Sequence, residues 1–354
     1  MTVAYKGDII FAPTPDRFQT FEDGYVIVED GRVRRVCSSL PSDSGDITVI
    51  DRSGRLIIPG FNDLHIHAPQ YPLAGLGFDY ELLPWLEKYT FKAESKYSDI
   101  DVADYWYRQF ITKLWENGTL RFSAFATLHN EATLRLMELC QESGLRPVIG
   151  KVNMDRNSPD YLVEDTDVSL AGTEELIAKS RKLTPDIGFI ITPRFVPSTT
   201  PELMAGLGEP PQEPMAGQGE PARRYHLPVQ SHLDENRNEI QWVHDLHPDI
   251  PTYTEVYEQY GLMPDGRTIM AHCIWLTDRE RKILKEHGVW LTHCAESNLD
   301  LASGIMPVRR NLDYGLKISI ASDVAGGHEP AMNRHIVMTI EASKAKTFED
   351  GHAE

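Results

Sequence analysis

The sequence predicts an α/β protein, a (β/α)8 TIM-like barrel accompanied by a small, incomplete β domain built from the N-terminal strands. Three observations predict it. Eight short, nearly uninterrupted apolar runs alternate with helix-like stretches through most of the 354 residues, the pattern of parallel strands buried on both faces. Several of the intervening stretches end in Gly, as helix C-termini do. Histidines and acids collect where the apolar runs end, the rim at which barrel chemistry sits. An open doubly wound sheet is the alternative architecture.

Taken in order, residues 1–58 offer short strands separated by turn signals, GDIIFAP, GYVIVEDGRVRRV and DITVIDRSGRLII, with Asp30-Gly31 as a hairpin turn. Residues 59–354 are expected to form the barrel. Its strands would be LIIPGFNDLH, LRFSAFATLH, RPVIGKVNMD, IGFIITPRFV, LPVQSHLDE, TIMAHCIWL, VWLTHCAESN and LKISIASDVAGG. Helices are predicted over ADYWYRQFITKLWENG, EATLRLMELCQESG and DRERKILKEHG, where apolar residues recur at helical spacing. EIQWVHDL, TYTEVYEQYG and DRERKILKEHG read as solvated outer helices without chemistry. MAGLGEP from Met204 recurs as MAGQGEP from Met215. With Pro210, Pro211, Pro214 and Pro221 nearby, this repeat reads as a duplication looping from the surface, a lid being the functional alternative.

Composition narrows the partners. With 35 basic and 53 acidic residues the formal net charge is −18, a surface that repels a phosphate backbone, so nucleic acid is not expected. The N-terminal MTVAYKGDIIFAPTPDRF lacks the layout of a signal peptide, and no apolar run approaches the roughly 20 residues that span a bilayer. A soluble cytoplasmic protein without a membrane partner is expected. Cys37, Cys140, Cys273 and Cys294 are scattered with no C-x-x-C pair. Neither a disulfide framework nor a cysteine zinc knuckle is indicated, nor the zinc deaminases with H-x-E and P-C-x-x-C signatures. A bound metal would take His and carboxylate ligands.

FNDLHIHAPQ carries the first such ligands. LIIPGF reads as a buried strand, and side chains at i and i+2 of a strand share a face, so His65 and His67 converge. His129, Arg194, His232 with Glu235, His272, His293 and Asp323 stand at the ends of the other runs. His226, His244, His247, His328 and His335 lack that registration and read as surface or structural residues. A hydrolytic metal site needs about four protein ligands and an open position for water. His65, His67, His232 and Asp323 can supply them.

In that order and at those strand ends, PGFNDLHIH, QSHLDEN, MAHCIWL and ASDVAGG resemble the amidohydrolase superfamily of metal-dependent barrels. The resemblance implies that His65, His67, His232 and Asp323 bind the metal, with His272 beside the water. HAPQYPLAG, FATLHNEAT, GKVNMD, ITPRFVPS, SHLDENRNEI, HCAESNLDLASG and SDVAGG are similar, over about residues 57–345, to the guanine-deaminating members. That implies hydrolytic deamination of guanine to xanthine and ammonia, with a small purine base as partner. Gln70, Arg194 and Phe195 would hold the base, which His67, His232 and Asp323 would also face. Glu235 would shuttle protons, and Asp323 and His272 would take the proton of the water. One Zn2+ per chain is implied, Fe2+ being the alternative. IGFIITPRF holds no lysine for the carbamylated bridge of two-metal relatives. A homodimer is the expected assembly. The chain stops at Glu354, short of the family's further strands, so the N-terminal strands are expected to lack partners. An s-triazine or pterin deaminase or chlorohydrolase would use the same metal residues, and a non-catalytic barrel scaffold would have lost them.

Overall fold

In the computed structural model, which describes residues 2–41, 47–208 and 226–351, the chain divides into two units, residues 1–60 and 61–354. The first holds β1 (Thr2–Thr14), β2 (Arg17–Glu29), β3 (Arg32–Cys37) and β4 (Thr48–Ile57). Their order in the sheet is β3-β2-β1-β4, with β1 antiparallel to β2 and parallel to β4. Asp30 and Gly31, at φ of 49° and 75°, make the predicted turn between β2 and β3. Two consecutive left-handed residues match the twist of the flanking strands.

The second unit contains β5 (Phe61–His67), β6 (Thr119–Phe125), β7 (Val148–Gly150), β8 (Val152–Asn153), β9 (Gly188–Phe189), β10 (Thr192–Pro193), β11 (Val229–Leu233), β12 (Thr268–His272), β13 (Trp290–His293) and β14 (Lys317–Ile320). Two four-stranded parallel sheets, β5-β6-β7-β9 and β11-β12-β13-β14, are accompanied by the β10-β8 pair. A parallel bridge joins Ile191 to Val229, and Asp323 N and His67 N donate to the carbonyls of His65 and Val324 at 3.0 and 2.9 Å. The fold is therefore mixed α/β with parallel sheets, and helices connect the strands as parallel pairing requires. The predicted helices occupy Ile100–Glu116, Asn130–Ser143 and Asp278–Glu286. Gly144 ends the second with φ of 82°, the left-handed cap that a side chain would resist.

Four expectations need correction. LIIPGF is not one buried strand: Leu56 and Ile57 finish β4, Leu56 and Ile58 are exposed, and β5 starts at Phe61 beyond the Pro-Gly. Apolar content alone does not separate the end of one sheet from the start of another. The third and fourth strand candidates are each broken in two. At the break the backbone of Ile190 passes so close that a Cβ on Gly150 would lie 2.4 Å from its carbonyl oxygen. The helices after β11, Arg237–Leu246 and Tyr253–Gln259, are not simply solvated: Glu239, Tyr253 and Tyr257 are buried. Finally, the described part of the first copy of the repeat, residues 204–208, does not loop out. Pro201–Leu207 is a helix whose N-cap Thr200 accepts from Leu203 N, and Met204 and Leu207 are fully buried in the core. Residues 209–225, including the second copy, lie outside the described residues.

Candidate active site

Strand ends assemble the site. His65 and His67 share one face of β5, and both are buried. His232 lies within β11, His272 closes β12, and Asp323 follows β14. His272 and Asp323 have φ of 69° and 50°, a region that costs a non-glycine residue about 1 kcal/mol or more and that clusters at functional sites. The backbone turns there and aims both side chains inward. Phe125, ending β6, packs its ring 4.9 Å from His65 and 4.6 Å from His67.

Distances are short. His67 Nε2 lies 3.2 Å from His232 Nε2, and Asp323 Oδ1 lies 3.1 Å from His65 Nε2 and 3.5 Å from His67 Nε2. His272 Nε2 is 3.8 Å from Asp323 Oδ2 and 3.4 Å from Glu235 Oε2. The ligand atoms of His65, His67 and His232 all lie within 4.8 Å of one another, as do those of His65, His272, Cys294 and Asp323. Cys294 is the poorest donor of the second group, since burial pushes its thiol well up and its Sγ–H is directed to Thr292 O at 3.6 Å.

Supporting groups decide which nitrogens face the centre. The Arg194 carbonyl can only accept, so His232 carries its proton on Nδ1, 2.6 Å away, and turns the Nε2 lone pair inward. Asn298 Oδ1 does the same for His272 Nδ1 at 2.8 Å. Ser297 Oγ donates to Asp323 Oδ2 at 2.5 Å. Tyr257, from a helix expected to carry no chemistry, donates to the His232 carbonyl at 2.8 Å.

Electrostatics sharpen this arrangement. Burial, and then the neighbouring imidazoles, push His67 and His232 well below the usual histidine range, so both are neutral. Burial alone would raise Asp323, but attraction to His65 and then His272 outweighs it and holds the carboxyl low. Glu235 goes the other way: burial, with Asp323 adding repulsion, raises it well above the usual range despite a hydrogen bond from Ser303 Oγ at 3.2 Å. One carboxyl is thus held low and the other raised, a divergence of the kind that separates base from acid.

A metal ion fits these residues. Among the described residues neither His65 Nε2 nor His272 Nε2 has a hydrogen-bond partner, although both are buried. Imidazole nitrogens of His65, His67 and His232 and the carboxylate of Asp323 converge, with 3.1–3.5 Å between His65 and Asp323, His67 and His232, and His67 and Asp323, and hard-to-borderline divalent metals take this donor set.

Beside the centre is a cleft of about 400 Å³ lined by His67, Gln70, Arg194, Phe195, His232, Glu235, His272 and Asp323, with Leu82, Trp85, Leu86 and Leu301 as apolar walls. Every site residue expected from the sequence except His65 lines it, and His65 lies behind at the metal group. His293 and His129 do not join them. His293 is buried, neither of its ring nitrogens has a hydrogen-bond partner among the described residues, and burial lowers its pKa to about 4. His129 precedes the helix Asn130–Ser143 and lines a separate cleft with Glu164. Glu94 was not anticipated: buried in the segment after the H-x-H, it pairs with both Arg194 and Gln70. Asn298 and Ser297 were quoted only within a motif, where adjacency to the VWLTHC strand was their one signal.

The model of the amidohydrolase family matches residues 56–352. The chain belongs to the amidohydrolase family. It is 41% identical over 306 residues to a guanine deaminase of Dictyostelium discoideum, covering 86% of this chain and 65% of that one. It is also 35% identical over 312 residues to a guanine deaminase of Escherichia coli, covering 86% and 67%. The chain thus spans just under two thirds of the length of the Dictyostelium relative. Among solved structures it is similar to guanine deaminase from C. acetobutylicum with bound guanine in the active site. That likeness has a TM-score of 0.94 at 42% identity and covers 99% of this chain and 81% of that one. No helix among the described residues is long and apolar enough to cross a membrane.

Proposed function

We propose that this chain deaminates guanine hydrolytically, releasing xanthine and ammonia, with one Zn2+ held by His65, His67, His232 and Asp323. The observation that carries the reading is the group His65, His67, His232 and Asp323 at the edge of a cleft in which the buried Glu235 stands 3.4 Å from His272 Nε2. Similarity to proteins named guanine deaminase, one of them crystallised with guanine, supports the choice of base. The eight-strand arrangement is read as a closed (β/α)8 barrel, supported by the Ile191–Val229 bridge and by the hydrogen bonds between residues 323–324 and β5.

Zinc would supply Lewis acidity and lower the pKa of a water toward about 7. Asp323 and His272 stand where the proton of that water would go. Glu235, kept protonated by burial, gives its proton to the ring nitrogen next to the attacked carbon, and a proton then passes to the departing amine. Arg194 and Gln70 hold the far edge of the base, and Phe195 and the leucine walls keep water from its faces.

Xanthine formation from guanine by the purified, metal-analysed chain tests the reading. Turnover that is lost on chelation and restored by Zn2+ is expected. A fully zinc-loaded, folded chain that leaves guanine unchanged, or that turns over a triazine instead, overturns it.

A further inference from the structure

Glu94 lies 100 positions before Arg194 in the sequence, in the short helix Phe91–Glu94, and both are buried to within 3% of full exclusion from solvent. Arg194 Nη1 donates to Glu94 Oε2 at 2.6 Å and Nη2 to Oε1 at 3.1 Å. Gln70 Nε2 donates to the same Oε1 at 2.8 Å. The Arg194 guanidinium also stands 5.3 Å over the ring of Phe91, one turn earlier in that helix. Gln70 and Arg194 line the cleft and Glu94 does not.

These contacts have a chemical consequence. A carboxylate in an ion pair only accepts, so the Gln70 amide must turn its NH2 to Glu94, and its Oε1, on the other side of the same planar group, is left for the ligand. The bidentate pair likewise takes two of the five Arg194 N–H groups and fixes the plane of the rest. The cleft therefore offers one fixed acceptor beside fixed donors. That pattern complements a lactam edge, in which a ring N–H stands next to C=O. It mismatches an amidine edge, in which a bare ring nitrogen stands next to NH2.

We propose that Glu94 is a positioning residue for base selection: by clamping Arg194 and Gln70 it makes the cleft read the lactam edge of guanine and reject the amidine edge of an otherwise identical diaminopurine. The proposal rests on the guanine reading above. Without the carboxylate, the Gln70 amide rotates freely and Arg194 loses its fixed plane, so the two edges become more nearly equivalent.

The test is the ratio of kcat/KM for guanine to that for 2,6-diaminopurine, both of which carry the reacting amine at the same carbon. It is measured on the zinc-loaded wild type, Glu94→Gln and Glu94→Asp. Wild type is expected to favour guanine, and Glu94→Gln to narrow the ratio at least about tenfold, chiefly through KM for guanine, with metal content unchanged. Glu94→Asp, which keeps the charge but reaches only one partner, should fall between them and serves alone if the Gln variant does not fold. Equal loss on both purines in the folded variants means that Glu94 is structural and overturns the proposal while leaving guanine deamination standing. A wild type that turns over guanine without preferring it overturns this proposal alone, and one that leaves guanine unchanged overturns both.

Discussion

The Nδ1–H of His272 donates to Asn298 Oδ1 at 2.8 Å, so the imidazole presents its Nε2 to Glu235 and Asp323. Asn298 comes from the helix Ala295–Asp300 that follows the neighbouring strand. One tautomer is thereby selected without any charge on the supporting group.

Removing that support should uncouple metal binding from turnover. Asn298→Leu is expected to lower the proposed guanine deamination about 10- to 100-fold, the usual cost of losing such a partner, while metal content stays near wild type. Asn298→Asp keeps an acceptor and should lose less. Wild-type activity in the leucine variant would show that His272 is held in place by packing alone.

Glu235→Gln should retain the metal, since the four proposed ligands do not include it, and lose activity about a hundredfold or more. The acid form that burial maintains is the one a general acid needs, and an amide cannot replace its transferable proton. Metal content by mass spectrometry or atomic absorption distinguishes the outcomes. Loss of the ion would make Glu235 a ligand.

Glu239 is expected to impose a pH dependence on stability. It accepts from Tyr253 OH at 2.8 Å and from the backbone of Glu235 and Asn236, and burial, with Glu235 adding repulsion, raises its pKa from 4.5 to about 7. Between those values the folded chain keeps a proton that the unfolded chain has released. The contribution is present in full below the unfolded value and is lost as pH rises through the folded one. The shift corresponds to about 3 kcal/mol as an order of magnitude. Glu239→Gln, which cannot titrate, should show a flatter melting temperature from pH 4.5 to 8. Parallel curves for the two proteins would remove Glu239 from the account.

The repeat can be shortened in two ways that differ at one position. Deleting Met204 to Pro214 brings Gln218 to the place of Leu207, whereas deleting Gly208 to Gln218 keeps Leu207. Leu207 is fully buried, so the first product should be less stable than the second by about 2–4 kcal/mol, from lost apolar burial and a buried amide. Denaturant melts of the two decide it. Equal stability would mean that the Leu207 site does not require an apolar side chain, and loss of guanine affinity in both would mark the segment as a lid.

What could be read from the sequence was whatever depends on local pattern. Strand periodicity put His65 and His67 on one face, and apolar runs ending in His or Asp gave His232, His272 and Asp323, because a strand carries its side chains to a known side. Helix ends were legible for the same reason: Gly144 terminates its helix by a backbone geometry that glycine alone adopts cheaply. Local pattern also misled, reading LIIPGF as one strand and the first repeat copy as a loop, because hydrophobicity does not say which core a residue enters. Only the tertiary structure decided that His129 and His293 stand apart, that Glu239 and Tyr257 reach inward, and that Glu94 holds Arg194 and Gln70. These are pairings between side chains as many as 100 residues apart. Their energy depends on distance and on exclusion of water, and neither quantity is defined until the chain has brought the partners together.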